Sequence, residues 1–389
     1  MPERFDVAIV GLGAMGSATL YQLAKRGVKV AGLDRYAPPH PYGSSSGETR
    51  ITREAVGEGL AYVPFVVDSH RIWRELEAAT GNTLFNACGA LVMGPGDGVT
   101  THHGMPDFTA RSIEAAERYR IPHEVIDGAE VAWRFPMFRG LSGSERAYYE
   151  PGGGYVIPEA CIATQLKCAA SFGATIRTGV RVDTIAQETG QVRIGISGGS
   201  IVADRVVVSA GAWNTPLLGA PFDRLLSVSR QLLYWYELDD LSAYRPDSPV
   251  FIWMYGKTDH DYVYGFPPLP GDNRIKVAKE QYRTTTTAAA LDRRVDPVEA
   301  ERMYCETVED RLAGATPRVA GTAVCLYTST PDRNFIIDQH PAQDRVTVVS
   351  ACSGHGFKHS AGIGAALAAH ITDGRSQSDL AYFSLSRFL

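Results

Sequence analysis

A glycine-rich turn near the N-terminus constrains the fold of this chain more than any other feature. Residues 6–10 form a short apolar run rich in β-branched side chains, which predicts a buried strand. Gly11, Gly13 and Gly16 follow in the pattern G-x-G-x-x-G, and residues 14–26 then have the apolar spacing of a helix. A strand, a glycine turn and a helix in this order are typical of a unit that binds a dinucleotide.

Each glycine of the turn has its own physical role. Gly11 allows the tight turn, Gly13 lets a pyrophosphate approach the backbone, and Gly16 lets helix and strand pack closely. The pyrophosphate would lie at the helix N-terminus, where unpaired N–H groups favour negative charge. A second apolar run, residues 28–33, ends at Asp34, where an acid can bind ribose hydroxyls. The unit predicts an adenine dinucleotide and leaves FAD and NAD both open.

Length and composition limit the class of protein. The chain has 389 residues, a formal net charge of −5, 44% hydrophobic residues and 21% charged residues. This length suits two domains, and the slight acidity argues against nucleic-acid binding. No apolar run approaches the ~20 residues that span a bilayer, and the early first strand leaves no room for a signal peptide. Six scattered cysteines without a C-x-x-C pair argue against disulfides or a metal, so we expect a cytoplasmic protein.

The rest of the chain alternates helical and extended segments. We expect helices at 62–80, 105–120, 158–171, 297–312 and 361–371. We expect strands at 84–93, 174–180, 192–196 and 205–208, and parallel-type strands at 335–338 and 346–349. Aromatic-rich alternation between 225 and 327 predicts an antiparallel sheet. Arg50 and Arg53 would share one face if 48–54 were helical, although their spacing alone favours a solvated surface.

These segments predict an α/β fold in which a Rossmann-like domain is interleaved with an α+β substrate domain that carries an antiparallel sheet. We assign residues 1–85, 148–220 and 328–389 to the discontinuous dinucleotide-binding domain. Residues 86–147 and 221–327 form the substrate domain. The small residues after the strand at 205–208 would let a cofactor pass close to the backbone, although close packing explains them equally well. The glycine turn at 354–358, which opens the last helix, is a second candidate anion cradle.

Six motifs are spread along the chain. Besides the turn at 11–16, they are G-E-T-R at 47–50 with G-E-G at 57–59, Y-G-F-P at 264–267, A-V-C-L-Y-T at 323–328, F-I-I-D at 335–338 and S-G-H-G-F-K at 353–358. Together they resemble the monomeric sarcosine oxidase and N-methyltryptophan oxidase family of amine-oxidising flavoenzymes, and fructosyl amino acid oxidases are close relatives of that family. The resemblance covers nearly the whole chain. It implies a FAD-binding domain of the glutathione-reductase type, with FAD bound covalently through a cysteine sulfur.

The resemblance implies roles for three residues that hold the cofactor or the substrate. Cys325 would link the flavin, and Arg53 and Lys358 would bind the substrate carboxylate. A carboxylate taken out of water needs a cationic partner, and arginine offers a fixed fork of donors. Without the resemblance, Cys325 would be interpreted as a buried core thiol and Lys358 as a surface cation.

The resemblance also implies roles around the flavin ring. Arg50 would lie near the ring, and Tyr264 and Tyr327 would line the substrate pocket. Lys276 would promote the reaction of reduced flavin with oxygen, because a nearby cation stabilises the negative charge that develops on oxygen. An interstrand salt bridge from Lys276 to Glu280 is the alternative that spacing alone favours.

The glycine turn and the resemblance together give the full set of positions that we expect to contact the cofactor. They are Gly11, Gly13, Met15, Gly16, Asp34, Arg35, Ser44, Arg50, Val182, Ala210, Gly211, Trp213, Cys325, Gly354, His355, Gly356, Phe357 and Lys358.

Three positions depart from the sarcosine oxidase pattern. Glu280 stands where those enzymes carry a histidine beside the substrate amine, and resembles a glutamate of fructosyl amino acid oxidases. Val56 replaces a pocket tyrosine, which enlarges the expected pocket. Ser45 and Ser46 replace a pair of histidines near the flavin. An acid at 280 would suit a substrate with hydroxyls or a positive charge, so Glu280 is counted with Lys276, Arg50 and Tyr264 among the catalytic candidates.

The chain is therefore expected to be a monomeric FAD-dependent oxidase of N-methyl amino acids. A secondary amine that carries a carboxylate would be oxidised, with oxygen as acceptor and hydrogen peroxide as product. Sarcosine would give formaldehyde and glycine. The alternatives are an oxidase of fructosyl amino acids or of pipecolate-type imino acids, an NAD-dependent dehydrogenase, and a flavin-bearing subunit of a multi-chain complex.

Overall fold

Two large sheets, one mainly parallel and one mainly antiparallel, frame the molecule. The structure is a computed structural model that describes residues 2–389. The helices are α1 (Ala14–Lys25), α2 (Val63–Thr80), α3 (Phe108–Tyr119), α4 (Gly128–Arg134), α5 (Pro158–Ser171), α6 (Asn214–Leu218), α7 (Phe222–Leu225), α8 (Pro297–Met303) and α9 (Ser360–Asp373). The strands are β1 (Arg4–Val10), β2 (Val30–Leu33), β3 (Arg50–Thr52), β4 (Phe85–Asn86), β5 (Ala90–Gly94), β6 (Thr101–His102), β7 (Met105–Pro106), β8 (Glu124–Asp127), β9 (Arg146–Glu150), β10 (Gly154–Val156), β11 (Thr175–Arg177), β12 (Val182–Glu188), β13 (Gln191–Ile196), β14 (Gly199–Val208), β15 (Ser227–Leu238), β16 (Val250–Met254), β17 (Tyr262–Phe266), β18 (Arg274–Lys279), β19 (Thr285–Thr286), β20 (Ala315–Ser329), β21 (Ile336–His340) and β22 (Gln343–Ser350).

The predicted strand–turn–helix unit begins the first sheet. Strand β1 pairs in parallel with β2 on one side and with β14 on the other, and β11 pairs with the far edge of β2. The first half of the long strand β14 pairs with β13 in an antiparallel ladder, whereas its second half pairs with β22 in parallel. The carboxyl ends of β1, β2, β14 and β22 therefore meet at one edge, which is where ligands bind in open α/β sheets.

Four helices pack together on one side of this sheet, and small residues let α9 approach two of them closely. Helix α1 packs against α9 and α5, and α2 packs against α9. A Cβ added at Gly364 of α9 would lie 2.6 Å from Ala18 of α1, and one added at Gly362 would lie 2.2 Å from the carbonyl oxygen of Phe65 in α2. No larger side chain fits between these backbones, so the small-residue composition of the last helix is a packing requirement.

The second sheet has nine strands in the order β19-β15-β18-β17-β16-β5-β9-β8, with β20 paired to β15. All of its pairs are antiparallel except β16 with β5. Aromatic side chains fill its core, among them the fully buried Tyr236, Phe251 and Trp253. The predicted α/β fold with an antiparallel aromatic sheet is thereby confirmed.

The strands of the two sheets follow the predicted domain division closely, although the boundaries themselves stay a prediction. Every strand of the first sheet falls within the segments 1–85, 148–220 and 328–389. Strand β9 (Arg146–Glu150) of the second sheet crosses the expected boundary at 148, and β20 continues to Ser329.

Several local predictions are corrected. Residues 50–52 form strand β3, paired with β10, rather than part of a helix. The helix predicted to end at 312 is α-helical only to Met303 and continues as a π-helical turn, Tyr304–Val308. Strand β21 was expected to be parallel but pairs with β22 in an antiparallel hairpin, because a short connection can only reverse the chain. Strands β8 and β12 and helix α4 were not predicted.

Within residues 2–389, no helix combines the length and the apolar composition that crossing a bilayer requires.

Candidate active site

One cavity of about 450 Å³ runs from the carboxyl edge of the first sheet to the second sheet. Gly11, Gly13 and Asp34 line one end of the cavity, and Tyr264 and Tyr327 line the other. The residues of the two ends lie far apart in the sequence. Folding therefore brings the dinucleotide motif and the aromatic sheet to a single site.

The glycine turn has the geometry that a bound pyrophosphate needs. Gly11 has a positive φ of 90°, and a Cβ there would lie 2.7 Å from the Cα of Ala210. A Cβ on Gly16 would lie 1.8 Å from the carbonyl oxygen of Gly11, so these two glycines allow backbone packing. A Cβ on Gly13 would meet only Ser45 Oγ, at 3.9 Å, so the backbone of Gly13 is open to the cavity. An anionic group can reach the N-terminus of α1 at this point.

Asp34 lies where a ribose would be held. Its side chain is nearly buried and accepts hydrogen bonds from the backbone N–H of Leu12, at 2.7 Å, and of Tyr36, at 2.8 Å. Each carboxylate oxygen keeps a lone pair for a further donor. Because Asp34 also lines the cavity, it can accept hydrogen bonds from the hydroxyls of a ribose.

Almost all of the predicted cofactor positions line the cavity, so the residues present fit FAD. The exceptions are Gly16, which packs against Gly11, and Cys325, which lies in β20 with 2% of its surface exposed. Those that line it are Gly11, Gly13, Met15, Asp34, Arg35, Ser44, Arg50, Val182, Ala210, Gly211, Trp213, Gly354, His355, Gly356, Phe357 and Lys358.

The predicted carboxylate-binding cations, Arg53 and Lys358, share a partner that the sequence did not assign. Arg53 Nη2 lies 3.1 Å from Glu58 Oε2, and Lys358 Nζ lies 2.7 Å from Glu58 Oε1. Burial would raise the pKa of Glu58, but Lys358 and Arg53 hold that pKa well below its ordinary value. Burial lowers the pKa of Lys358 to about 8. All three groups are therefore charged at neutral pH, and the cluster has a net positive charge.

The positive cluster has spare donor capacity towards the cavity. Arg53, Glu58 and Lys358 all line it. Arg53 Nε is buried and has no hydrogen-bond partner among residues 2–389. A buried donor without a partner is costly, and a ligand carboxylate would both satisfy it and neutralise the cluster.

Lys276 lies behind the wall of the cavity rather than in its lining. Its ammonium group donates to the carbonyl oxygens of Gly47, at 2.5 Å, and Thr49, at 2.8 Å, and to Thr49 Oγ1, at 3.0 Å. It also lies 4.3 Å from the centroid of the Phe266 ring, which does line the cavity. Burial, reinforced by the charge of Arg50, lowers the pKa of Lys276 well below its ordinary value. No carboxylate lies within ion-pair distance of this ammonium in the chain from 2 to 389.

Arg50 lines the cavity and holds the adjoining loop, residues 44–49. Its guanidinium donates to the carbonyl oxygens of Ser44, at 3.0 Å, Ser46, at 2.5 Å, and Thr49, at 2.8 Å. The neighbouring residue Cys325 is a fully buried thiol, and burial raises its pKa while the charge of Arg50 opposes that rise.

The alternative interpretation required a salt bridge between Glu280 and Lys276, but these two side chains do not pair. Its carboxylate accepts hydrogen bonds from Tyr282, at 3.0 Å, and Tyr327, at 3.3 Å, and lies 3.4 Å from His103 Nε2. Burial raises the pKa of Glu280 to about 7. Glu280 therefore faces the same cavity as Tyr264 and Tyr327.

A second cavity of about 460 Å³ adjoins the first on the far side of Glu280. Both cavities are lined by His102, His103 and Glu280. Each side chain that lines the second cavity carries a polar group, although about half of the lining surface is apolar; these side chains include Thr258, Asp259, Tyr282 and Arg333.

Sequence analysis missed three residues of the site. Glu58 was noted only as part of a motif, and its partner Lys358 lies 300 residues away. His102 and His103 lie between the strand predicted to end at 93 and the helix predicted to begin at 105, where no element was predicted. The dipeptide His103-Gly104, at a tight hairpin turn between β6 and β7, was the only local signal.

Comparison with known proteins agrees with this geometry. Residues 6–370 match the family described as FAD dependent oxidoreductase. The chain is 36% identical over 392 residues to monomeric sarcosine oxidase of Bacillus sp. (strain B-0618), across 100% of this chain and 97% of the relative. It is 31% identical over 390 residues to N-methyl-L-tryptophan oxidase of Yersinia pestis (strain Pestoides F), across 99% of each chain.

Solved structures resemble the whole chain at lower identity. NikD, an unusual amino acid oxidase essential for nikkomycin biosynthesis, matches with a TM-score of 0.83 and 22% identity over 98% of this chain and 97% of that one. Fructosyl amine:oxygen oxidoreductase (Amadoriase I) from Aspergillus fumigatus matches with a TM-score of 0.75 and 18% identity over 99% of this chain and 91% of that one. These similarities concern the fold.

Proposed function

The chain belongs to the FAD dependent oxidoreductase family, and from this premise we propose that it oxidises the secondary amine of an N-methyl amino acid, with oxygen as the acceptor. The resemblance to amine-oxidising enzymes expected from the motifs is confirmed over the full length. The observation that carries the choice of substrate is the net positive cluster of Arg53, Lys358 and Glu58, with its unpartnered Arg53 Nε, at the end of the cavity away from the dinucleotide turn.

The residues of this chain would bind and orient the substrate. Arg53 and Lys358 hold its carboxylate, and Tyr264 and Tyr327 wall off the reacting amine from water. Bound FAD would supply the redox chemistry, as the acceptor of the hydride equivalent from the carbon next to nitrogen and as the donor of both electrons to oxygen. The imine then hydrolyses, so one amine, one oxygen and one water give an aldehyde, an amino acid and hydrogen peroxide.

An anaerobic reduction assay tests this proposal. We expect purified protein to be yellow, and sarcosine or N-methyl-L-tryptophan to bleach it without added NAD or partner chains. Readmitting oxygen should restore the colour and release one hydrogen peroxide for each amine oxidised. A colourless protein that reduces NAD would favour the dehydrogenase alternative. Activity that appears only with further chains would favour a subunit of a complex.

A second candidate is the oxidation of a secondary amine with a hydroxylated substituent, as in fructosyl amino acids. The polar second cavity next to Glu280 favours it, because hydroxyl groups would find partners there and a methyl group would not. Comparing kcat/KM for sarcosine, fructosyl-glycine and pipecolate separates the candidates. A preference for fructosyl-glycine would leave the amine oxidase assignment intact and change its substrate.

Covalent attachment of FAD through Cys325 is a further part of the proposal. Wild-type protein precipitated with acid should keep its yellow colour, because a thioether survives denaturation. Cys325→Ser should release the flavin into the supernatant under the same conditions, and a peptide carrying flavin mass should contain residue 325 only in the wild type.

Cys352 provides a matched control for this experiment. It is another cysteine of the same region, it lines the cavity, and burial also raises its pKa. Cys352→Ser should retain bound flavin after acid precipitation. Release of flavin from the Cys352 variant, or from the wild type, would contradict attachment at Cys325.

A further inference from the structure

An amino acid substrate reaches this site with its amine protonated. An alkyl ammonium group ordinarily has a pKa of about 10, and an amine that carries a proton has no lone pair to assist loss of a hydride from the neighbouring carbon. The amine must therefore lose a proton before oxidation, and a side chain that touches the amine can take this proton up.

Glu280 is the carboxylate that meets this requirement. It follows directly after β18, lines the substrate end of the main cavity, and lies against Gly354, where a Cβ would be 2.9 Å from Glu280 Oε1. Glu58, the other acid at this end, is already bound to Arg53 and Lys358. Among residues 2–389, only neutral phenol donors and His103 hold the carboxylate of Glu280.

We infer that Glu280 accepts the proton of the substrate ammonium group and that His103 passes this proton from the main cavity to the second one. This inference rests on the proposed amine oxidation. The step is a proton transfer alone: the N–H bond breaks, an O–H bond forms on Glu280, and the carboxylate is restored when the proton leaves through His103 to water. No electrons move until the amine is neutral.

The backbone at His103 aims its ring at Glu280. His103 and Gly104 form the turn between β6 and β7, and both have positive φ, 53° and 74°. Such a turn favours Asn, Asp or Gly, so a histidine there carries a backbone cost. His103 Nε2 faces Glu280 at 3.4 Å and Nδ1 lies 3.3 Å from the Tyr282 hydroxyl. Because His103 lines both cavities, it forms a bridge between them.

The pKa shifts of Glu280 and His103 suit side chains that carry a proton only briefly. Burial raises the pKa of Glu280 to about 7, so it can exchange a proton near neutral pH. Burial, helped by His102 and His355, lowers the pKa of His103 well below its ordinary value, so the proton does not remain there. The other titratable or charged groups that face Glu280 are His102, Tyr262, Tyr264, Tyr282, Tyr327, Glu58, Lys358 and Arg333.

Two substrates that differ in amine basicity test the inference. Sarcosine enters as an ammonium ion, whereas N-trifluoroethylglycine carries a neutral amine at pH 7. We expect Glu280→Gln to slow anaerobic flavin reduction by sarcosine about 100-fold at pH 7, the lower range for loss of a general base. The same variant should slow reduction by N-trifluoroethylglycine only a few-fold. In the wild type, the sarcosine rate should fall below pH 7, and this acid limb should disappear in Glu280→Gln.

The controls keep the outcome decisive. Lys279→Met changes the neighbouring charged residue, which hydrogen-bonds Tyr255 rather than the site, and should leave both rates unchanged. His103→Gln should slow sarcosine more than the neutral amine. Equal slowing of both substrates by Glu280→Gln, or no slowing, would overturn the inference while leaving amine oxidation standing. If neither substrate nor any other secondary amine reduces wild-type flavin, the proposed function and the inference both fail. The flavin spectrum and thermal unfolding report whether each variant is folded.

Discussion

Replacing Lys276 with methionine is expected to slow the reaction of the reduced enzyme with oxygen by about 100- to 1,000-fold, the range typical for removing one preorganised charge-stabilising group. Oxygen takes up negative charge in the first step of its reduction. A buried ammonium group stabilises that charge strongly, because few waters screen it. Lys276 lies just behind Phe266 in the cavity wall and is anchored by Gly47 and Thr49.

Stopped-flow measurement separates the two halves of the reaction. Reduction of flavin by substrate should change less than a few-fold in Lys276→Met, because Lys276 does not line the substrate pocket. Lys279→Met, on the same strand but bound to Tyr255, should alter neither half. Equal slowing of both halves would mean that Lys276 mainly supports the Gly47–Thr49 backbone.

The pH dependence of reoxidation gives a second check on Lys276. Its three hydrogen bonds go to uncharged oxygens, and burial lowers its pKa well below the ordinary lysine value. A lysine with a lowered pKa loses its proton as pH rises, so the stabilising charge is present at low pH and absent at high pH. The wild-type reoxidation rate should therefore fall with rising pH, and Lys276→Met should be insensitive to pH over the same range.

The parts of the fold that could be predicted are those governed by local chemistry. The unit from β1 to Asp34 is revealed by the spacing of its apolar residues, by the conformations that its glycines allow, and by an acid at a fixed distance after the glycine turn. Helix α5 was predicted at its observed bounds, Pro158–Ser171, because a proline at the first turn and the apolar spacing agree. These signals lie within some thirty residues of one another and need no knowledge of the tertiary structure.

The failures have tertiary causes. Arg50–Thr52 is a strand because β10 pairs with it, and no local preference reveals that partner. Helix α4 spans only seven residues, which is too short for a periodic signal in the sequence. It depends on the cap that the Asp127 side chain provides. Glu58 and Lys358 lie 300 residues apart in the sequence, so only the folded chain shows that an acid binds the two expected cations. The resemblance predicted that Arg53 and Lys358 would lie together, but it did not predict Glu58 or the net charge of the three-residue cluster.

That net charge makes carboxylate binding the other large expected effect. Arg53→Met keeps most of the side-chain volume but removes one cation, so the cluster with Glu58 and Lys358 becomes neutral. Losing one partner of a buried charge pair costs about 2–5 kcal/mol, or roughly 30- to 4,000-fold in affinity. We expect this loss for methoxyacetate, a substrate-like carboxylate, titrated by the change in flavin absorbance. Methoxyacetamide, which has no charge, should bind wild type and variant equally weakly.

Arg111 supplies the matched control. Its Nε donates to the carbonyl oxygen of Gly57 in the loop that carries Glu58, and it does not line the cavity. Arg111→Met should therefore leave methoxyacetate affinity within a few-fold of wild type. A large loss in this variant would mean that any disturbance of the loop weakens binding, and that the charge of Arg53 is not the cause.

Glu58→Gln distinguishes two roles of Glu58 in carboxylate binding: reducing the positive charge of the cluster, and holding Arg53 in its binding orientation. Removing the acid leaves two cations without an internal partner, so methoxyacetate should bind more tightly wherever the pH is low enough for Lys358 to keep its proton. Glu58 also opposes the effect of burial on Lys358, whose pKa is lowered to about 8 in its presence. A lysine with a lowered pKa holds its charge below that pKa and loses it above, so wild-type affinity should fall as pH rises through about 8. Without Glu58, the pKa of Lys358 drops further and the fall should begin at lower pH. Weaker binding by Glu58→Gln at every pH would show instead that Glu58 is needed to hold Arg53 in its binding orientation.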